Sequence, residues 1–230
     1  MLKADFHIHT KEDPIDKIKY TAKDLIRYAS KLNFKVLAVT NHYSVYYNKN
    51  LANYAKKKGI LLIPGMETRI KNKEVLLLNI KKSIKLKEFS DLEKLRKENV
   101  VVVAPHAFYP KYFCLKEKLV ENINLFDCIE YCHMYLDFLN WSNKKAVKIA
   151  KKYNKPLIGN SDAHKIYQLN HTFSLVDSDM NIDSVLEALR KGKVSVQTKP
   201  LSYYIFSKIF FSTIFTGLKK KITGKDKNPF

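Results

Sequence analysis

The chain has 230 residues, 46% of them hydrophobic, which suits one globular domain with a sizeable core and excludes a disordered polymer. Its 42 Lys and Arg against 22 Asp and Glu give a formal charge of +20, a balance that favours nucleic acids, nucleotides or acidic membrane surfaces as partners, with a solvated lysine coat as the plainer reading. Three cysteines without repeated spacing (Cys114, Cys128, Cys132), a start without a signal-peptide core and the lack of an apolar run of about 18 residues exclude a disulfide scaffold and a transmembrane span, and a cytoplasmic location is expected.

Along the chain, apolar runs of strand length alternate with stretches of helical period. Strands are predicted at residues 5–9, 36–40, 60–65, 75–80, 100–104, 128–131, 157–160, 173–176 and 194–196. The first predicted helix, TAKDLIRYASKLN, sets Leu25, Ile26, Ala29 and Leu32 on one side, and SDLEKLRKEN, WSNKKAVKIAKKY and IDSVLEALRKGK follow the same pattern. Ser90 and Asp183 are the expected N-caps, and Gly59 and Gly192 the expected helix stops. This alternation predicts a parallel β/α architecture over residues 1–200. After Pro200 the chain turns aromatic and then basic, ending in GLKKKITGKDKNPF. Residues 201–230 are therefore expected to form an amphipathic, basic C-terminal extension that packs on the barrel or touches a membrane surface or partner.

Six of the seven histidines, His7, His9, His42, His106, His133 and His164, fall at or just past the end of a predicted strand. In parallel β/α folds that rim is where ligands bind. One such histidine is an ordinary structural residue; six at one rim point to a shared site. Carboxylates repeat the placement: Asp13 follows the first strand, Glu67 stands in IPGME, and Asp162 in NSDAH. Imidazole nitrogen with carboxylate oxygen is a ligand set for Zn, Mn or Fe. In an extended His7-Ile8-His9 the two rings point the same way, so both can face one ion.

These motifs resemble the polymerase and histidinol phosphatase (PHP) family: DFHIHT its first motif, TNHY the second, GMET the glutamate motif, APHAF the third and GNSDAH the last, over about residues 3 to 198. The resemblance implies a distorted seven-stranded β/α barrel with two or three divalent ions and phosphate-ester hydrolysis. Carried over by motif, His7, His9, Glu67 and Asp162 hold one ion, Glu67 bridges to a second held by His106 and His133, and Asp13, His42 and His164 hold a third, with Glu67 and Asp162 central to catalysis. The chain departs from the family pattern at several points. Asn41 replaces the usual Asp before His42; Asp13 is displaced by one, leaving Glu12 and Asp16 as alternatives; NKEVLLLNI lacks a histidine that many members carry; and His133 occupies a variable position.

The expected nucleophile is a metal-bound hydroxide, with no Ser, Cys or Asp nucleophile required. Asp5, Asn41 and Asn160 are candidates for orienting the imidazoles. Arg69 and Lys165 are candidates for the non-reacting phosphate oxygens, and the aromatics Phe108, Tyr109, Tyr112 and Phe113 for stacking on a base. A nucleotide, an oligonucleotide end or a small phosphorylated metabolite all fit as substrate. The alternative is a non-catalytic nucleic-acid-binding barrel similar to the protein subunit of ribonuclease P.

Overall fold

The computed structural model describes residues 1–209. Its strands are β1 (Leu2–Asp5), β2 (Val36–Val39), β3 (Leu61–Ile70), β4 (Lys73–Leu78), β5 (Val101–Ala104), β6 (Cys128–Cys132), β7 (Leu157–Asn160), β8 (Thr172–Val176) and β9 (Val194–Thr198). They form one sheet in the order β7-β6-β5-β4-β3-β2-β1-β8-β9. The helices are α1 (Ala22–Lys31), α2 (Lys49–Lys57), α3 (Asp91–Lys97), α4 (Glu117–Glu121), α5 (Trp141–Lys152) and α6 (Ile182–Arg190), and residues 203–209 are also helical. Among the described residues no helix is long and apolar enough to cross a membrane. Beyond residue 209 the expected C-terminal extension lies outside the described residues.

Alternation along the strands sorts side chains into two layers. Val36, Ala38, Ile63, Leu76, Leu78, Val101, Val103 and Ile158 fill the interior, joined by Val185, Leu186 and Leu189 of α6. Because β8 runs antiparallel to β1 and ends opposite Leu2, α6 starts below the barrel and plugs the end away from the histidines. The opposite faces of the same strands pack outward, Leu37, Val39 and Leu62 beneath α1 and α2, Leu77 and Val102 beneath α3 and α5. Helix α1 starts on a capping box in which Thr21 and Asp24 bond each other's backbone.

The resemblance implied seven strands; among the described residues the sheet has nine, the number of apolar runs read from the sequence. The two extra strands follow from the free edge of β1, where Leu2–Ala4 pair antiparallel with Ser174–Val176 and β9 adds outside β8. The sheet is also mixed rather than parallel throughout, since β4 is antiparallel to both β3 and β5. Its cause is the two-residue turn Lys71-Asn72, with φ of 49° and 63°, which folds β3 straight back on itself and extends it past the predicted residue 65. The expected cap Asp183 lies inside α6, where it accepts from Asn99 Nδ2 at 3.0 Å; Asn181 does the capping, accepting from Ser184 N at 2.9 Å. Ser90 stands at the N-cap of α3 without a side-chain bond: its own backbone is already helical, with φ of −60° and ψ of −22°, and the first-turn amides of Leu92 and Glu93 donate to the carbonyls of Phe89 and Ser90. Gly59 and Gly192 follow α2 and α6 with φ of 72° and 70°, the left-handed stop expected of them.

The barrel closes where β7 meets β8. Ser174 Oγ accepts from Gly159 N and donates to Gly159 O, both at 3.0 Å, so one hydroxyl replaces a ladder pair. A Cβ on Gly159 would lie 2.7 Å from Phe173 O and 2.9 Å from Val196 Cγ1, so only glycine allows this approach. Higher up, Phe6 N donates to Asn160 Oδ1 at 2.9 Å and Ile8 bridges Ala163, joining the first and last motifs. Gly159→Ala is accordingly expected to lower stability by about 1–3 kcal/mol, measured as the urea midpoint, and also to loosen the His7 side of the rim; an unchanged midpoint would show that the closure tolerates a side chain.

Candidate metal centre

Glu67 lies at the centre of the rim. It is 2% exposed, and its two oxygens face different imidazoles: Oε1 lies 3.5 Å from His7 Nε2 and 3.4 Å from His106 Nε2, while Oε2 lies 3.4 Å from His9 Nε2 and 3.2 Å from His42 Nε2. Oε1 has no hydrogen-bond partner among the described residues, a costly state for a buried carboxylate unless a cation answers it. Asp162 Oδ1 closes the group from the last motif, 3.3 Å from His7 Nε2 and 3.4 Å from His9 Nε2. Among the described residues, ligand atoms within 4.8 Å of one another occur in five sets: His7, His106 and Asp162; His7, His9 and Glu67; His9, Asp13 and His42; His9, Asp162 and His164; His42, Glu67 and Glu74. The donor types and their spacing fit divalent ions with mixed nitrogen and oxygen ligation.

The far side of each ring is held as well. Asp13 Oδ2 accepts from His9 Nδ1 and His42 Nδ1, both at 2.9 Å, and from His42 N at 2.8 Å, fixing both rings with Nε2 turned inward. Of its neighbours, Glu12 accepts from Ala22 N at the start of α1, and Asp16 accepts from His164 Nε2 at 3.0 Å. Glu130 Oε2 accepts from His7 Nδ1 at 2.8 Å and from Asn160 Nδ2 at 3.0 Å. Cys114 Sγ lies 3.8 Å from His106 Nδ1. His106 and Asp162 adopt φ of 59° and 43°, left-handed backbone that costs each on the order of 1 kcal/mol and that turns the chain sharply at the rim.

Eight of the nine expected ligands are thus brought into these sets. His133 is not: it is buried with Nε2 accepting from Gln168 Nε2 at 3.0 Å, while Gln168 Oε1 accepts from His164 N and Lys165 N. Arg69 is spent on Glu74, with Nη2 2.7 Å from Oε1, and lies over Tyr112 and Phe113. Of the other aromatics, Phe108 is buried and Tyr109 Oη donates to Met134 O. Asp5 and Asn41 order backbone rather than rings, Asp5 accepting from Ser161 N and His7 N, Asn41 accepting from Thr10 N.

Two residues of the centre were not among those expected, Glu74 and Glu130. Glu130 sits in the run CIEYC, which reads as an apolar strand. Glu74 had a signal: a two-residue turn at Lys71-Asn72 places it opposite Arg69, on the same face as Glu67.

Burial and charge oppose each other across the site. Burial disfavours a charged His7, but Asp162, Glu130 and Glu67 outweigh it and raise its pKa well above the imidazole range. His9 is raised to about 10, against burial, by Asp13, Asp162 and Glu67. His106 and His164 are also raised. Glu67 is held well below the carboxylate range, against burial, by His7, His106 and His42, and Asp162 likewise by His7 and His164. His133 is the exception, pulled down to about 3 by burial and therefore neutral. Protons thus occupy imidazoles that a metal ion needs free.

Histidines and carboxylates assembled at the mouth of a β/α barrel define a metal-dependent hydrolase. The chain belongs to the PHP family: the PHP domain model matches residues 5–166, and the PHP-associated model matches residues 140–194. It is 25% identical over 130 residues to an uncharacterized protein of Methanocaldococcus jannaschii, covering 52% of this chain and 76% of that one. Its fold is similar to a two-domain Bacteroides vulgatus protein containing a predicted PHP-like metal-dependent phosphoesterase, with a TM-score of 0.65 and 19% identity over 92% of this chain and 69% of that one. It is also similar to the lesion-specific endonuclease Q of Pyrococcus furiosus, with a TM-score of 0.60 and 16% identity over 85% of this chain and 57% of that one. Endonuclease Q has been solved with a 27-mer duplex bearing an abasic lesion at its active site.

Since raised histidine pKa values mean bound protons, loading the metal-free protein with Zn²⁺ or Mn²⁺ at neutral pH is expected to release protons, and affinity should fall as pH falls. Titration calorimetry in two buffers of different ionisation enthalpy measures this; identical heats would mean that the rings are already neutral.

Proposed function

We propose that the chain hydrolyses phosphate esters at a di- or trinuclear site of Zn, Mn or Fe built on Glu67, acting on a nucleotide, an oligonucleotide end or a small phosphorylated metabolite. The observation that carries this reading is the division of the Glu67 oxygens between two pairs of inward-facing imidazoles. Divalent ions bound there would supply Lewis acidity, able to bring the pKa of water to about 7 and to offset charge on the phosphoryl group.

In this proposal His7 and His106 serve the Oε1 side of Glu67, and His9 and His42 the Oε2 side. Asp162 and His164 belong to the third position beside His9. Asp13 and Glu130 hold the rings from behind, so that little reorganisation is needed when the ions bind. Lys165 is the candidate for meeting phosphate oxygens, while Arg69, held by Glu74, has Nη1 donating to Tyr112 Oη at 3.4 Å. The barrel at residues 1–200 carries the chemistry, and the basic residues beyond it draw in the anionic substrate.

Glu67→Gln removes the charge that two cations share. Metal analysis should show at least one ion fewer per chain, and turnover of a generic phosphate monoester or diester should nearly vanish; a variant with wild-type metal content and rate would remove Glu67 from its bridging role. For substrate class, activity on phosphorylated metabolites and short oligonucleotides is compared across salt. Each phosphate neutralised by a Lys or Arg releases counterions, so oligonucleotide affinity should fall steeply with salt, and a shallow dependence would favour a small metabolite.

A further inference from the structure

Glu74 is buried at 3% exposure on β4, directly across from Arg69 on β3. Its two oxygens do different things. Oε1 takes both contacts from Arg69, Nε at 3.1 Å and Nη2 at 2.7 Å. Oε2 is left to face the centre, 3.6 Å from His106 Nε2, the same nitrogen that stands 3.4 Å from Glu67 Oε1. Ligand atoms of Glu74, Glu67 and His42 lie within 4.8 Å of one another. Two buried carboxylates therefore converge on one spot, and Glu67 Oε1 has no hydrogen bond there.

Arg69 answers one negative charge of this pair. The guanidinium lies over the rings of Tyr112 and Phe113, 5.7 and 5.3 Å from their centroids, and Glu74 N donates to Phe113 O at 2.9 Å, so both the carboxylate and its partner are fixed in place. A second carboxylate held beside the first at this depth is costly unless a cation joins them. We propose that Glu74 is a metal ligand of this centre, presenting Oε2 to an ion shared with Glu67, and that Arg69 is the positioning residue that aims it. The extra carboxylate makes this side of the centre richer in oxygen and negative charge, which favours a hard cation such as Mn²⁺ over Zn²⁺. This inference rests on the metal-centre reading above and adds a residue and a metal preference to it.

The test is Mn²⁺ and Zn²⁺ binding to the full-length, metal-stripped protein, by titration calorimetry and by the electron paramagnetic resonance signal of free Mn²⁺, for the wild type, Glu74→Gln and the double variant Arg69→Met/Glu74→Gln. Expected is a Mn²⁺ dissociation constant at least tenfold higher in Glu74→Gln, a larger rise than for Zn²⁺. The double variant, which leaves no unpaired guanidinium, should recover thermal stability without recovering Mn²⁺ affinity. Unchanged Mn²⁺ affinity in a folded Glu74→Gln, or an equal loss for both metals, overturns the proposal, as does recovery of affinity in the double variant. If Glu67→Gln loses an ion while Glu74→Gln keeps the wild-type Mn²⁺ affinity, this proposal alone fails; a wild-type protein that binds neither metal overturns it together with the reading on which it rests.

Discussion

A single buried carboxylate, Glu67, faces imidazoles from three different strand ends, and most of what is distinctive in the fold serves that arrangement. A charged group at 2% exposure is tolerated only where opposite charge surrounds it. Here the surrounding charge comes from His7 and His9 after β1, His42 after β2 and His106 after β5. None of these segments could bring its ring to Glu67 alone; the curvature of the sheet does it. Close approach of β3 to β2 is part of this, since a Cβ on Gly65 would come 2.9 Å from Thr40 Cγ2.

The site and the barrel closure are one structure. Asn160 takes Phe6 N with its oxygen and gives its amide to Glu130, which in turn holds His7, so the seam between the ends of β1 and β7 also sets a ring of the centre. Asp5 does the same with backbone, accepting from His7 N and Ser161 N, and burial pushes its carboxyl up to about 7. Loosening this seam is therefore expected to loosen the candidate metal centre as well.

Strand positions and the rim histidines could be read from the sequence because both leave strong local signals: runs such as VLAV and VVVA, each ending in or near a histidine. Helix α2 left little, since KNLANYAKK buries only Leu51 and Ala55. The number of strands was legible as nine apolar runs, and the count of seven came from the resemblance alone. What sequence could not carry was pairing across the sheet. Glu74 lay just outside a predicted strand and acquires its meaning only opposite Arg69. His133 stands at the expected rim yet bonds Gln168, which the 3-10 turn at residues 166–168 brings to its Nε2. Asp13 was legible as a residue of the centre, but its bonds to two imidazole Nδ1 atoms depend on His42 arriving from 29 residues away.

If metal ions sit on both sides of Glu67, they can be seen there. Anomalous diffraction at the manganese edge, from crystals of the full chain grown with Mn²⁺, tests this directly. Anomalous peaks are expected within bonding distance of Glu67, one toward His7 and His106 and one toward His9 and His42. A crystal that holds Mn²⁺ elsewhere, with no peak beside Glu67, would contradict a metal centre organised around Glu67.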